Sequence, residues 1–109
     1  MKEKGSCDWF LQRLTAVALF ILGPLVLWDF LQGMGKSYES SLAWLYTVKG
    51  GILAGSLVFT AFLHLHLGLK VILEDYIHHP KLLSILLFVN KGVSLVCGLL
   101  CLSFLLSIY

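Results

Sequence analysis

Charge is what this sequence has least of. It holds 8 Lys and Arg and 6 Asp and Glu in 109 residues, for a net charge of +2 with histidines neutral. No basic cluster is long enough to track a phosphate backbone, so nucleic acid is excluded as a partner. Cysteine is sparse and odd in number: Cys7, Cys97 and Cys101. An odd count without framework spacing argues against a disulfide scaffold. Cys97 and Cys101 lie four apart on an apolar segment and are expected as buried thiols acting as small hydrophobes. No iron–sulfur cysteine run and no flavin-binding pattern is present, and the chain has no room for either. No small-x-small cleavage site follows the first apolar run, and no long Arg- and Ser-rich leader precedes it. A retained first helix is therefore expected rather than a signal or transit peptide. Neither internal repeats nor low-complexity tracts are visible.

What fills the chain instead is apolar surface. Its residues are 59% hydrophobic, with a mean hydropathy of +0.91. This length suits one domain, 1–109. A soluble domain so small buries too modest a share of its area to hide that much hydrocarbon. The expected class is an all-α integral membrane protein with three transmembrane helices, at approximately 11–31, 47–73 and 82–108, each near or above the ~20 residues needed to cross a bilayer. Pro24 suggests a kink in the first. Gln32 to Ser41 reads as a loop. The second apolar stretch begins near Ala43, with its start in the interface around Trp44, Tyr46 and Lys49, and Gly50-Gly51 weakens its early part. Glu74 to Lys81 reads as a short polar turn, in which Pro80 pushes His79 towards extended geometry. With three spans, Lys2, Lys4, Arg13, Lys70 and Lys81 fall on one side, against Lys36 and Lys49 on the other. That bias puts the N-terminus and the Asp75-Tyr76 turn in the cytoplasm and the C-terminus in the periplasm.

Several polar residues stand out against this background. His64 and His66 lie inside the second span. An ionisable group at membrane depth is a functional-site hypothesis by default, and neutral imidazole is a common ligand for iron. Two residues apart, the rings face nearly opposite sides of a helix, so they cannot both ligate one metal. A low-spin b-type haem needs two axial ligands, so a partner chain would supply the second. Gly68, four residues after His64, either makes room for a flat macrocycle or marks a helix–helix contact. Asp75 is eleven residues from His64 and returns to nearly the same face, about 16 Å further along the axis. Tyr76 beside it either donates to a quinone carbonyl or sits in the aromatic belt. Arg13, near the start of the first span, either pairs with a haem propionate or snorkels. Asn90 and Lys91 fall inside the third span and face a polar cavity, a propionate or a lipid headgroup. Asp29 reaches the outer interface.

Taken together, these residues resemble the small cytochrome b-type hydrophobic membrane anchors of succinate dehydrogenase (respiratory complex II). The first matching element is Gln12-Arg13-Leu14-Thr15-Ala16, and the second is His64-x-x-x-Gly68 followed by Asp75-Tyr76. Length and three-span layout agree, so the resemblance covers essentially the whole chain. It implies that His64 is an axial ligand of haem b and that Arg13 lies near the propionates. It also implies that Tyr76 hydrogen-bonds ubiquinone with Asp75 as neighbour. The implied partners are a second membrane anchor, an iron–sulfur protein and a flavoprotein, in a bacterial inner membrane. The chain would contribute to the quinone-reduction site without performing succinate chemistry. His66 and Lys91 are not part of the pattern. The rivals are a quinol:fumarate reductase anchor, a haemless structural anchor and a small multidrug-type transporter. The transporter has four spans and a Glu in the first, whereas 11–31 holds none.

Overall fold

The computed structural model describes residues 2–109, with side chains described for 7–33 and 35–109. The side chains of Lys2 and Lys4, used above for orientation, lie outside the described set. Helix α1 spans Lys2–Leu31, α2 spans Tyr38–Tyr46, α3 spans Val48–Tyr76 and α4 spans Pro80–Ser107. A single 3-10 turn, Met34–Lys36, links α1 to α2. No strand occurs among the described residues. Three of these helices are long and apolar enough to cross a membrane, over Cys7–Leu31, Val48–Tyr76 and Pro80–Ser107. This is the three-helix all-α membrane architecture expected from the composition, and the long axis of 50 Å suits a bilayer of roughly 40–45 Å with its headgroups.

Local sequence explains where the helices stop. α1 runs through Pro24 without interruption and ends at Leu31; the chain turns at Gly33, whose φ of 130° favours a residue without Cβ. Tyr38–Tyr46 is helical where Gln32 to Ser41 reads as a loop. The reason is a capping box: Ser37 Oγ accepts from the Ser40 amide at 3.1 Å, and Ser40 Oγ accepts from the Ser37 amide at 3.0 Å. The chain breaks again at Thr47, which caps α3 by accepting from the Gly50 amide at 2.9 Å. Turning so tightly brings the Trp44 carbonyl against Gly50, where a Cβ would lie 1.9 Å from that oxygen. Gly50 is thus required by close approach, not merely a weak helix former. At the other end, α3 continues through Asp75 and Tyr76, leaving only residues 77–79 outside a helix. His79 is extended (ψ 114°), as Pro80 dictates, and its ring accepts from the Leu82 amide at 3.2 Å to cap α4.

α3 is the central element. It packs on α1 along one side and on α4 along the other, while the backbones of α1 and α4 do not approach each other among the described residues. Both pairings are antiparallel. Asp8 pairs with Lys70, Thr15 meets His64 and Lys49 pairs with Asp29 at 3.2 Å, so the contacts descend α3 as they climb α1. The end of the bundle that carries α2 is closed by polar ties. Trp44 Nε1 donates to Asp29 at 2.8 Å, and Tyr46 donates to the Ile108 carbonyl at 2.8 Å. Tyr109 donates to the Leu45 carbonyl, with the two tyrosine rings edge to face at 5.8 Å. Such an open layer has almost no interior. Leu67 is the one buried large hydrophobe among the described residues. Cys97 and Cys101, expected as buried thiols, are exposed. In three helices laid side by side, most side chains have no second layer to cover them, so lipid or partner subunits must.

Candidate cofactor and quinone site

The only buried polar residues described are Thr15 and Asn90, and each touches a histidine of α3. Thr15 Oγ1 donates to the Gln12 carbonyl one turn back at 3.0 Å and lies 2.9 Å from His64 Nδ1. Asn90 Nδ2 donates to the His66 carbonyl at 3.0 Å and lies 3.2 Å from His66 Nδ1. The two rings thus face different neighbours, His64 towards α1 and His66 towards α4. A period of 3.6 residues requires this, because two residues turn the helix by about 200°. His64 Nε2 has no hydrogen-bond partner among the described residues.

Around His64, the α1–α3 seam is lined with small or polar groups. A Cβ added to Gly68 would meet only Gln12 Nε2, at 3.9 Å. Gly68 therefore serves the seam with α1, and it leaves a side-chain-free surface one turn from His64. Arg13 is exposed, its guanidinium 5.5 Å from the Trp9 ring centroid, and it has no carboxylate partner among the described residues. The nearby Asp8 is taken by Lys70. Asp75 and Tyr76 are both exposed on the last turn of α3, about 16–18 Å along the axis from His64. Hence one end of the α1–α3 layer carries His64, Arg13, Asp75 and Tyr76, but they do not contact one another. No group of three His, Cys, Asp or Glu side chains able to hold a metal occurs among the described residues.

On the α4 side a cavity of about 290 Å³ is lined by Phe59, Phe62, His66, Lys91, Ser94 and further apolar side chains. Lys91 itself is exposed. Thr15 and Asn90 as histidine partners were not legible in the sequence. Their polarity within apolar spans was the available signal, but their partners depend on the register between helices.

The succinate dehydrogenase/fumarate reductase transmembrane subunit family matches residues 1–106. Two curated relatives are succinate dehydrogenase hydrophobic membrane anchor subunits from Rickettsia. The one from Rickettsia conorii (strain ATCC VR-613 / Malish 7) is 26% identical over 110 residues, covering 98% of this chain and 83% of the relative. The one from Rickettsia bellii (strain RML369-C) is 30% identical over 93 residues, covering 85% of this chain and 74% of the relative. No solved structure gives a significant match. With three bilayer-length apolar helices and a family match over nearly its whole length, the chain belongs to the succinate dehydrogenase/fumarate reductase transmembrane subunit family.

Proposed function

We propose that this chain is the hydrophobic membrane anchor of a bacterial succinate dehydrogenase and that it helps hold haem b and ubiquinone in the inner membrane. The observation that carries the cofactor reading is His64. Its Nδ1 is engaged by Thr15 while its Nε2 has no hydrogen-bond partner among the described residues. An imidazole held at one nitrogen and free at the other suits iron ligation. His66 is likewise held at its Nδ1, by Asn90, but it faces α4 and not the seam that carries Gly68; a second iron ligand would have to come from a second membrane anchor. When bound, haem supplies one-electron redox chemistry inside the membrane. The chain's own residues do the rest. Arg13, lacking a carboxylate partner among the described residues, neutralises a propionate. Gly68 leaves a flat surface beside the ligand. Tyr76 donates to a ubiquinone carbonyl at the membrane edge, with Asp75 orienting neighbouring donors. The flavoprotein and iron–sulfur subunits dock on the cytoplasmic face and deliver electrons from succinate. The succinate dehydrogenase names of the relatives support that direction over quinol:fumarate reduction.

Two experiments test this reading. His64→Ala in the assembled complex should remove or alter the low-spin haem spectrum, because the imidazole that would hold the iron is lost. His66→Ala should change it far less, since that ring faces α4. Equal losses would mean that the geometry has selected no ligand. For orientation, exposed Cys7 should resist a membrane-impermeant thiol reagent on intact cells. Labelling without permeabilisation would reverse the topology.

A further inference from the structure

We infer that Thr15 and Asn90 lock the two histidines of α3 into opposite tautomers, and that this makes Thr15 the positioning residue for the haem ligand. The inference rests on the reading of His64 as that ligand. A hydroxyl has a single proton to give. Thr15 directs its own to the Gln12 carbonyl at 3.0 Å, so it meets His64 Nδ1, 2.9 Å away, with a lone pair. His64 Nδ1 therefore carries the ring proton. A neutral imidazole has one N–H, and so Nε2 keeps the lone pair that iron needs.

His66 is arranged the other way. Asn90 Nδ2 donates to the His66 carbonyl at 3.0 Å. That bond fixes the amide, because turned over it would set its oxygen against a carbonyl oxygen. Ser94 Oγ donates to the opposite end, Asn90 Oδ1, at 3.4 Å. The second hydrogen on Nδ2 then points at His66 Nδ1, 3.2 Å away, and Nδ1 accepts it. The ring proton of His66 is left on Nε2, where it blocks metal ligation. Both partners are held firmly, with Thr15 5% and Asn90 8% exposed. Two histidines two residues apart thus differ in the nitrogen each presents: a lone pair from His64, an N–H from His66. An acceptor on Nδ1–H also raises the basicity of the ligating nitrogen, which favours ferric over ferrous iron.

The test uses the whole membrane complex carrying Thr15→Val or Thr15→Ser, read by haem affinity, by the electron paramagnetic resonance g-values of the ferric haem and by its midpoint potential. None of these needs quinone turnover. Valine keeps the shape and removes the acceptor, so haem affinity should fall roughly 10–100-fold and the potential should rise. Serine restores the hydroxyl and should restore both. Unchanged affinity, g-values and potential in Thr15→Val would overturn the inference, as would a shift in Thr15→Ser equal to that in valine. Should the valine variant fail to assemble, Thr15→Ala removes the same oxygen without a new methyl and must show the same rise; an unshifted potential there is equally fatal. The underlying reading fails separately. A complex that keeps its haem spectrum after His64→Ala has another ligand, whatever Thr15 does.

Discussion

Tyr76 is the single side chain on which the proposed quinone contact depends. It is 76% exposed at the end of α3, so its hydroxyl is open to a ligand. Tyr76→Phe keeps the ring at the interface and deletes that hydroxyl. One lost hydrogen bond costs on the order of 1 kcal/mol, and more if the acceptor stays unpaired. Where the bond strengthens as negative charge grows on the quinone oxygen, the rate loss reaches roughly a hundredfold. Haem content and succinate oxidation by an artificial acceptor should survive. The ratio of quinone-linked to artificial-acceptor activity in the same membranes checks this, and an unchanged ratio would make Tyr76 an interface anchor. At this scale the sequence yields the candidate positions, not their roles. His64, Asp75 and Tyr76 announce themselves because polar groups are rare in an apolar span and their spacing fixes their faces. Thr15 does not, since a helical hydroxyl commonly bonds its own backbone. Only the register of α1 against α3 reveals that it also meets His64.

At the scale of elements, the decisive feature is the elbow between α2 and α3. The sequence shows a polar stretch followed by a long apolar one. It conceals the helix at Tyr38–Tyr46, because Ser37-x-x-Ser40 is a weaker capping signature than one ending in Glu or Gln. The glycine pair reads as a soft spot in a span, yet Gly50 is the pivot that lets the Trp44 carbonyl approach. Gly50→Ala should therefore cost about 1–3 kcal/mol, as overpacking does, despite the helix propensity it gains. Gly55→Ala on the same helix provides the contrast. Its new Cβ would meet Leu105 at an ordinary 3.8 Å, so propensity decides, and the change should be neutral or stabilising by roughly 0.5–1 kcal/mol. Thermal unfolding of the detergent-solubilised complex should place Gly50→Ala below the parent and Gly55→Ala at or above it. A Gly50→Ala complex as stable as Gly55→Ala would refute the elbow's close contact.

Across the whole molecule, the three spans form one open layer with α3 in the middle. Length, hydropathy and turn residues were enough to read three helices. They could not show that α1 and α4 stay apart, because every span is apolar on more than one face and periodicity then selects no seam. That openness has a functional consequence. A chain with so little interior leaves most of its apolar surface, and the Asp75-Tyr76 pair, for lipid or other subunits to cover. Phe20, Trp28, Phe59, Phe88 and Phe104 all stand more than half exposed, offering apolar contact to lipid or to a second anchor.

A chain that anchors a succinate-oxidising complex must travel with the rest of that complex, so its partners test the claim most directly. Mild detergent extraction of the tagged chain from native membranes, followed by identification of what co-purifies, should return a flavoprotein, an iron–sulfur protein and a second small membrane protein, together with a low-spin haem spectrum. Recovery of the chain alone, or with partners that carry neither flavin nor iron–sulfur clusters, would contradict it.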